Sequence, residues 1–155
     1  FLRMEIKNGL LYLTEVKQLI VAYTESLGRD LTFQNLSEEL DNLTAKYGPR
    51  NGHLLAAVAE DGTVIGCVAY HRHSPERCEM KRLYVLPEYR KDGTGQALIT
   101  QILADAKAAG YQEMVLDTLH PMKSAIRLYR KNGFQEIPAY YHNPMSDVIY
   151  LGKKL

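Results

Sequence analysis

The chain has 155 residues, of which 46% are hydrophobic and 24% are charged, and its formal net charge is +1 at pH 7. This length fits one domain with a sizeable core, so we expect a single domain over residues 1–155. The charge gives no basis for a nucleic-acid or anionic membrane partner, and no apolar run reaches the ~20 residues of a membrane helix. Glu15 and Lys17 interrupt the first apolar stretch, which therefore does not resemble a signal peptide.

The first part of the chain is predicted to be mainly helical. A short strand over residues 2–7 precedes a helix with Thr14 as its N-cap, because apolar residues recur at helical spacing from Val16 to Leu27. A second helix is predicted with an apolar face that runs from Phe33 to Tyr47, and Gly48–Pro49 ends it.

Three strands are predicted in the middle of the chain, over residues 53–60, 63–73 and 77–85. Asp61–Gly62 between the first two is a strong hairpin signal, and Ser74–Glu76 turns the chain into the third. These turns favour an antiparallel meander.

The two cysteines, Cys67 and Cys78, both fall in this meander. If the turn after residue 73 closes a hairpin, Cys67 faces the region of Leu83 and not Cys78. We therefore expect no disulfide, and reduced thiols are typical of a cytoplasmic protein.

The remaining elements alternate between helix and strand, which completes one mixed α/β domain. They are a helix over 95–109, a strand over 112–119, a helix with Pro121 in its first turn that ends at Asn132–Gly133, and two closing strands over 134–137 and 147–155.

A cation and two closely spaced glycines stand where the strand over 77–85 leads into the following helix. The segment reads Arg90-Lys91-Asp92-Gly93-Thr94-Gly95. Helix N-termini present unpaired N–H groups and positive dipole character, and glycine lets backbone approach phosphate oxygens. An anion site, most simply for a pyrophosphate, is one interpretation, and a plain strand-to-helix turn is the other.

Two nucleotide-binding motifs do not fit this loop. The phosphate loop of NTPases needs Gly-Lys-Ser/Thr, whereas Gly95 is followed by Gln96-Ala97. The dinucleotide fingerprint needs a third glycine where Leu98 stands, and the antiparallel hairpins before the loop do not form a βαβ unit.

Two segments carry a resemblance to a known family. Arg90-x-x-Gly93-x-Gly95, after "LYVLPEYR", resembles the acetyl-CoA motif of the GNAT N-acetyltransferases, and "AIRLYRKNGFQEI" (125–137) is similar to that family's late helix. The element order is also similar. The resemblance implies a mixed, twisted sheet of about six to seven strands with helices on both faces. It also implies that the fourth and fifth strands splay apart around the pantetheine arm of CoA.

The resemblance also implies roles for individual residues. Tyr84 and Val85 match the pantetheine-contacting strand, and Tyr129 matches a tyrosine near the CoA sulfur. Glu79 lies near a base that some members carry. Met122 departs from the asparagine that the family often has, and Ser124 is a possible substitute. The matches to the pyrophosphate-binding segment are Arg90, Lys91, Asp92, Gly93, Thr94, Gly95 and Gln96.

Transfer of an acetyl group to a primary amine defines what these residues must do. An ammonium with a pKa of about 10.4 is rarely neutral at pH 7, so a base is useful, and Glu79 is the candidate. Backbone N–H groups of residues 83–85 are candidates to bind the oxyanion, and Tyr129 to donate the proton to the thiolate. The alternatives are a salt bridge of Glu79 with Lys81 or Arg77, and a core role for Tyr129.

Two further clusters carry polar side chains of possible functional importance. His71-x-His73 places two imidazoles on one strand face, but a third ligand is missing nearby, so we predict no metal. In "AYYHNP" (139–144), Tyr140 and Tyr141 are candidates for the acceptor pocket, and an aromatic-packed turn is the alternative.

The resulting prediction is an acetyl-CoA-dependent N-acetyltransferase. Direct attack in a ternary complex would acetylate a small-molecule amine, an amino acid or a peptide. A protein lysine or N-terminus as acceptor, and a CoA-binding regulatory module without catalysis, are the alternatives. The motifs leave the acceptor and the oligomeric state open, because pocket loops vary on a shared fold.

Overall fold

One seven-stranded sheet organises the protein. The structure is a computed structural model, which describes residues 3–30 and 35–155. The strands are β1 (Met4–Asn8), β2 (Gly52–Ala59), β3 (Val64–Arg72), β4 (Arg77–Val85), β5 (Glu113–Leu119), β6 (Gln135–Glu136) and β7 (Val148–Lys154). Their order across the sheet is β1-β2-β3-β4-β5-β7-β6. The predicted mixed sheet of six to seven strands is confirmed.

Helices cover both faces of this sheet. They are α1 (Leu13–Leu27), α2 (Leu36–Asp41), α3 (Leu43–Tyr47), α4 (Thr94–Ala108) and α5 (Lys123–Lys131). One apolar core packs the sheet against α4 and Tyr129 of α5, and a second packs it against α1 and α3. Among the described helices, none combines the length and the apolarity needed to span a membrane.

The neighbouring strands β4 and β5 separate after a short stretch of pairing. They are the parallel neighbours of the sheet, and their ladder comprises Arg77–Glu113, Cys78–Met114 and Glu79–Val115. The rest of β5 pairs with β7 on its other side. The two strands thus diverge from Met80 and Leu116 onwards, as the resemblance implied.

A bulge interrupts β4 where it passes this opening. Cys67 pairs with Tyr84 and Ala69 with Lys81, so Arg82 and Leu83 together face one residue of β3. Arg82 has φ +61°, which is rare for a residue with a branched or long side chain. The sequence predicted that Cys67 faces the region of Leu83. The extra residue shifts the register by one, so that Cys67 pairs with Tyr84. Cys67 and Cys78 are buried free thiols.

Several predicted helix boundaries were wrong. The predicted helix over 33–47 is divided at Asn42, whose φ of −151° is not helical and whose side chain caps α3 through the Ala45 N–H at 3.2 Å; Phe33 lies outside the described residues. Thr14 is inside α1, because a 3-10 turn over Gly9–Tyr12 leads directly into it. Pro121 precedes α5, which begins at Lys123.

Candidate active site

A cleft opens where β4 and β5 diverge, and its volume is about 50 Å³, room for a few water molecules. Its walls come from the two strands, the end of α1, the start of α5 and the loop before β7. The lining residues are Tyr23, Leu27, Met80, Lys81, Arg82, Leu83, Leu116, Asp117, Thr118, Leu119, Met122, Tyr129, Asn143, Met145 and Val148. Tyr84 and Val85 are the next residues along β4, towards the glycine loop.

Tyr129 lies in the wall of this cleft and packs edge-on against Phe134, with ring centroids 5.9 Å apart. Burial, with smaller contributions from Tyr23 and Asp117, raises the pKa of Tyr129 above its ordinary value. The phenol is therefore protonated at neutral pH. The core contact that the sequence left as an alternative is present, together with access to the cleft.

The glycine loop adopts two left-handed residues immediately before α4. Lys91 has φ +74° and Gly93 has φ +84°, and the helix begins at Thr94 without a side-chain cap. The Thr94 hydroxyl is buried and has no hydrogen-bond partner among the described residues. Gly95 has a different role, because a Cβ there would lie 3.3 Å from Leu128 of α5. The first turn of α4 thus keeps unpaired polar groups, as an anion site requires.

Arg90 connects this loop to the end of β4. Its Nε donates to the Val85 carbonyl at 2.9 Å, and its guanidinium lies 5.4 Å from the centre of the Tyr84 ring. Three of the residues that the resemblance assigned to the pyrophosphate and the pantetheine are therefore in one cluster. Lys91 and Asp92 are exposed on the same loop.

Gln96 joins the first turn of α4 to the end of α5. Its side-chain amide donates to Asn132 Oδ1 at 2.7 Å and accepts from Asn132 Nδ2 at 3.0 Å. Met122 lines the cleft, and its sulfur accepts a hydrogen bond of 3.8 Å from the Thr118 hydroxyl. The Ser124 hydroxyl accepts a hydrogen bond of 3.2 Å from Arg127.

Glu79 is buried and is not among the residues that line the cleft. Its Oε1 contacts His71 Nε2 at 2.6 Å and Lys81 Nζ at 3.6 Å, and its Oε2 accepts from the Tyr140 hydroxyl at 2.5 Å. Burial alone would raise the pKa of Glu79, but these partners outweigh it and lower the pKa to about 2. The sequence left open a salt bridge of Glu79 with Lys81 or Arg77. The structure has the ion pair with Lys81, and it is buried. Arg77 pairs with Glu113 instead.

The segment after β6 places both predicted tyrosines beside carboxylates. Tyr140 donates to Glu79 and packs against His73, with ring centroids 5.3 Å apart. Tyr141 donates its hydroxyl proton to Asp117 Oδ2. His71, near the end of β3, is bonded to Glu79, whereas His73, just after β3, packs on Tyr140. The described residues contain no group of three metal-ligating side chains.

The family model of the acetyltransferases called GNAT matches residues 16–134 of the chain. The chain belongs to the GNAT acetyltransferase family. It is 46% identical over 140 residues to an uncharacterized N-acetyltransferase of Schizosaccharomyces pombe, which covers 90% of this chain and 86% of that protein. The expected enzyme class, an acetyl-CoA-dependent N-acetyltransferase, is confirmed.

Solved structures confirm the GNAT fold. A GNAT acetyltransferase from Staphylococcus aureus superposes with a TM-score of 0.82 at 20% identity, covering 98% of this chain and 99% of that one. The paia N-acetyltransferase from Thermoplasma acidophilum, in complex with coenzyme A, superposes with a TM-score of 0.70 at 21% identity. The superposition covers 99% of each chain.

Two features of this GNAT site were missed at the level of sequence. One is the buried pair of Arg82 and Glu39, in which Nε and an Nη atom donate to the two carboxylate oxygens at 2.9 and 3.0 Å. The other is Asp117, which had no role in the site predicted from the sequence. Glu39 lies on the face of its helix that packs towards the sheet. An acidic residue at such a position was the one sequence signal for the buried Arg82–Glu39 pair.

Proposed function

We propose that this GNAT enzyme transfers the acetyl group of acetyl-CoA to a primary amine by direct attack in a ternary complex. The observation that carries the proposal is the divergence of β4 and β5 after Glu79–Val115, with Tyr129 in the wall of the resulting cleft and the glycine loop at the end of β4. A diverging pair of strands leaves backbone groups available to an extended ligand.

The residues present fit the CoA part of this proposal. The buried, unpartnered hydroxyl of Thr94 and the uncapped start of α4 are suited to a pyrophosphate, together with Arg90 and the backbone of residues 91–96. Tyr84 and Val85 are assigned to the pantetheine. Bound acetyl-CoA supplies the activated acyl group as a thioester, and the protein supplies position and protons.

Proton movements balance in the following way. The neutral amine nitrogen forms the new N–C bond, the C–S bond breaks, and the nitrogen loses a proton. Tyr129 gives a proton to the departing sulfur and regains one from solvent. Its raised pKa keeps it protonated until then, but also makes it a weaker proton donor, so the acid role rests on its position in the cleft wall.

Glu79 remains the proposed base, but we expect a smaller contribution of it to the rate. Effective bases have a pKa near the working pH, and a carboxyl with a pKa of about 2 is a weak one. We expect its contribution to lie near the ~10²-fold lower end of the usual range. The hydrogen bond to His71 is the proposed outlet for the proton, because His71 lines a second pocket that is open at the surface.

The test is turnover of acetyl-CoA with a panel of primary amines, followed by release of the free thiol and by mass detection of the N-acetyl product. Amine-dependent thiol release with a mass gain of one acetyl group is expected. Thiol release that is independent of every amine, including peptide N-termini and lysine side chains, would contradict the proposal.

A further inference from the structure

The charged side chains that line the cleft are not equivalent. Lys81 lies 3.6 Å from Glu79, and Arg82 forms the two-point ion pair with Glu39, so each of these cations already faces a buried carboxylate. Asp117 is the cleft's carboxylate, and its hydrogen-bond partners among the described residues are neutral.

Those neutral partners hold Asp117 in place. The Tyr141 hydroxyl donates to Oδ2, and Asn143 Nδ2 lies 3.3 Å from the same oxygen. Asn143 also donates to the Tyr141 hydroxyl at 2.7 Å, which closes a three-membered polar cluster. The negative charge of Asp117 is thus fixed at the cleft, and within residues 3–30 and 35–155 no cationic side chain is in contact with it.

Asp117 is also close to the proposed reaction centre. It lies two residues after Val115, the last β5 residue paired with β4, and therefore at the start of the divergence. It shares the cleft wall with Tyr129, the proposed acid. A cationic group bound by Asp117 would lie beside the acetyl donor.

Part of the cleft wall is apolar. Leu27 at the end of α1, Met145 in the loop before β7, and Val148 at the start of β7 line it. These partly buried side chains suit a hydrocarbon body behind a charged amine.

We propose that Asp117 binds the ammonium form of the acceptor, and that the acceptors are cationic primary amines with an apolar body and no carboxylate next to the amine. This inference rests on the proposed function. A carboxylate beside the amine would approach Asp117, while Lys81 and Arg82 are already paired, so it would lose its hydration without gaining a countercharge.

Matched acceptors test the charge preference. Pentylamine is compared with norleucine and phenethylamine with phenylalanine, because the members of each pair differ by one carboxylate. A kcat/KM that is roughly ten- to hundredfold higher for the amine of each pair is expected, the usual range for a charged hydrogen bond. Equal or better use of the amino acids would overturn this inference and leave the proposed function intact. Turnover with no amine at all would overturn both.

Substitution of Asp117 tests the residue itself. Asp117→Asn is expected to raise KM for pentylamine roughly ten- to hundredfold with a smaller change in kcat, since the charge acts on binding. The matched control is Asp105→Asn, the same change on α4, where the carboxylate contacts His53 at 2.8 Å. Asp105→Asn is expected to leave KM unchanged.

A second readout uses a cation that cannot itself be acetylated. Pentyltrimethylammonium carries the charge but cannot be acetylated, so it is expected to compete with pentylamine in the parent enzyme and roughly tenfold more weakly in Asp117→Asn. Acetyl-CoA affinity by calorimetry is expected to be equal in both proteins. Unchanged inhibition in a folded Asp117→Asn protein that still binds acetyl-CoA would assign Asp117 to the structure of the Tyr141 loop and overturn the inference.

Discussion

Arg82 and Glu39 form a buried ion pair that connects the bulge of β4 to α2. Their side chains are 3% and 2% exposed, and two hydrogen bonds of 2.9 and 3.0 Å join them. Arg82 also has the left-handed backbone that allows the bulge. Backbone in this conformation persists where surrounding contacts determine it, and Glu39 provides such a contact beside the cleft.

Glu39→Gln is expected to destabilise the protein by about 3–5 kcal/mol, because it leaves the charge of Arg82 buried without its partner. The free energy of unfolding, from urea titration at pH 7, measures this. Glu38→Gln is the control, since Glu38 is the exposed neighbour in the same helix and is expected to change stability by less than about 0.5 kcal/mol. Equal stability of the two variants would contradict a stabilising role for the pair.

Acid is expected to weaken the fold through the same residue. Burial alone would raise the pKa of Glu39, but Arg82 and Lys46 lower it from 4.5 to about 2. A carboxyl with a depressed pKa in the folded state stabilises above its unfolded pKa, and this contribution is lost as pH falls from about 4.5 towards 2. Urea titrations between pH 6 and pH 3 are expected to show a steeper loss of stability for the parent than for Glu39→Gln. Parallel curves would show that Glu39 does not carry this dependence.

Gly93→Glu is expected to abolish binding of acetyl-CoA, because it places a carboxylate in the proposed anion site and a Cβ on a residue with φ +84°. Gly110→Glu is a matched control at the other end of α4, with φ +97° and an equally open surrounding. Both variants carry the same backbone strain and added charge. Calorimetry with acetyl-CoA separates them, and equal affinities would remove the glycine loop from the binding site.

Tyr129→Phe removes one oxygen and retains the packing against Phe134. If Tyr129 gives the proton to the departing sulfur, kcat falls roughly 10²–10⁴-fold with little change in KM. Tyr70→Phe, at another buried tyrosine of the same core, is expected to leave kcat unchanged. A kcat of Tyr129→Phe equal to that of the parent would assign Tyr129 to the core alone.

Local signals in the sequence predicted much of this fold. The strand over 77–85 and the helix that follows it were predicted to within one residue, because alternation, glycine spacing and helical periodicity act over a few positions. Asn42 shows the limit of such signals. Apolar residues continue at helical spacing across it, and its non-helical backbone results from capping α3.

The contacts of the site could not be predicted in the same way. Arg82 and Glu39 are 43 residues apart in the chain, and Tyr141 and Asp117 are 24 apart. Their pairing depends on how α2 and the loop before β7 pack on the sheet, and no local pattern encodes that packing. The bulge at Arg82 adds one residue to a strand whose apolar alternation alone predicts regular pairing.

Glu79→Gln tests the proposed base, and the buried position of Glu79 sharpens the expectation. The amide keeps the shape but cannot accept a proton, so kcat/KM at neutral pH is expected to fall by about a hundredfold. The defect should shrink as pH rises, because more of the acceptor is then already neutral. Glu113→Gln is the control, since Glu113 pairs with Arg77 in the neighbouring strand, away from the cleft. The measurement is kcat/KM against pH for the parent and the two variants. Profiles that run parallel at equal height in all three proteins would exclude Glu79 as the base. The amine proton would then leave through water, and Glu79 would serve to position Lys81, His71 and Tyr140.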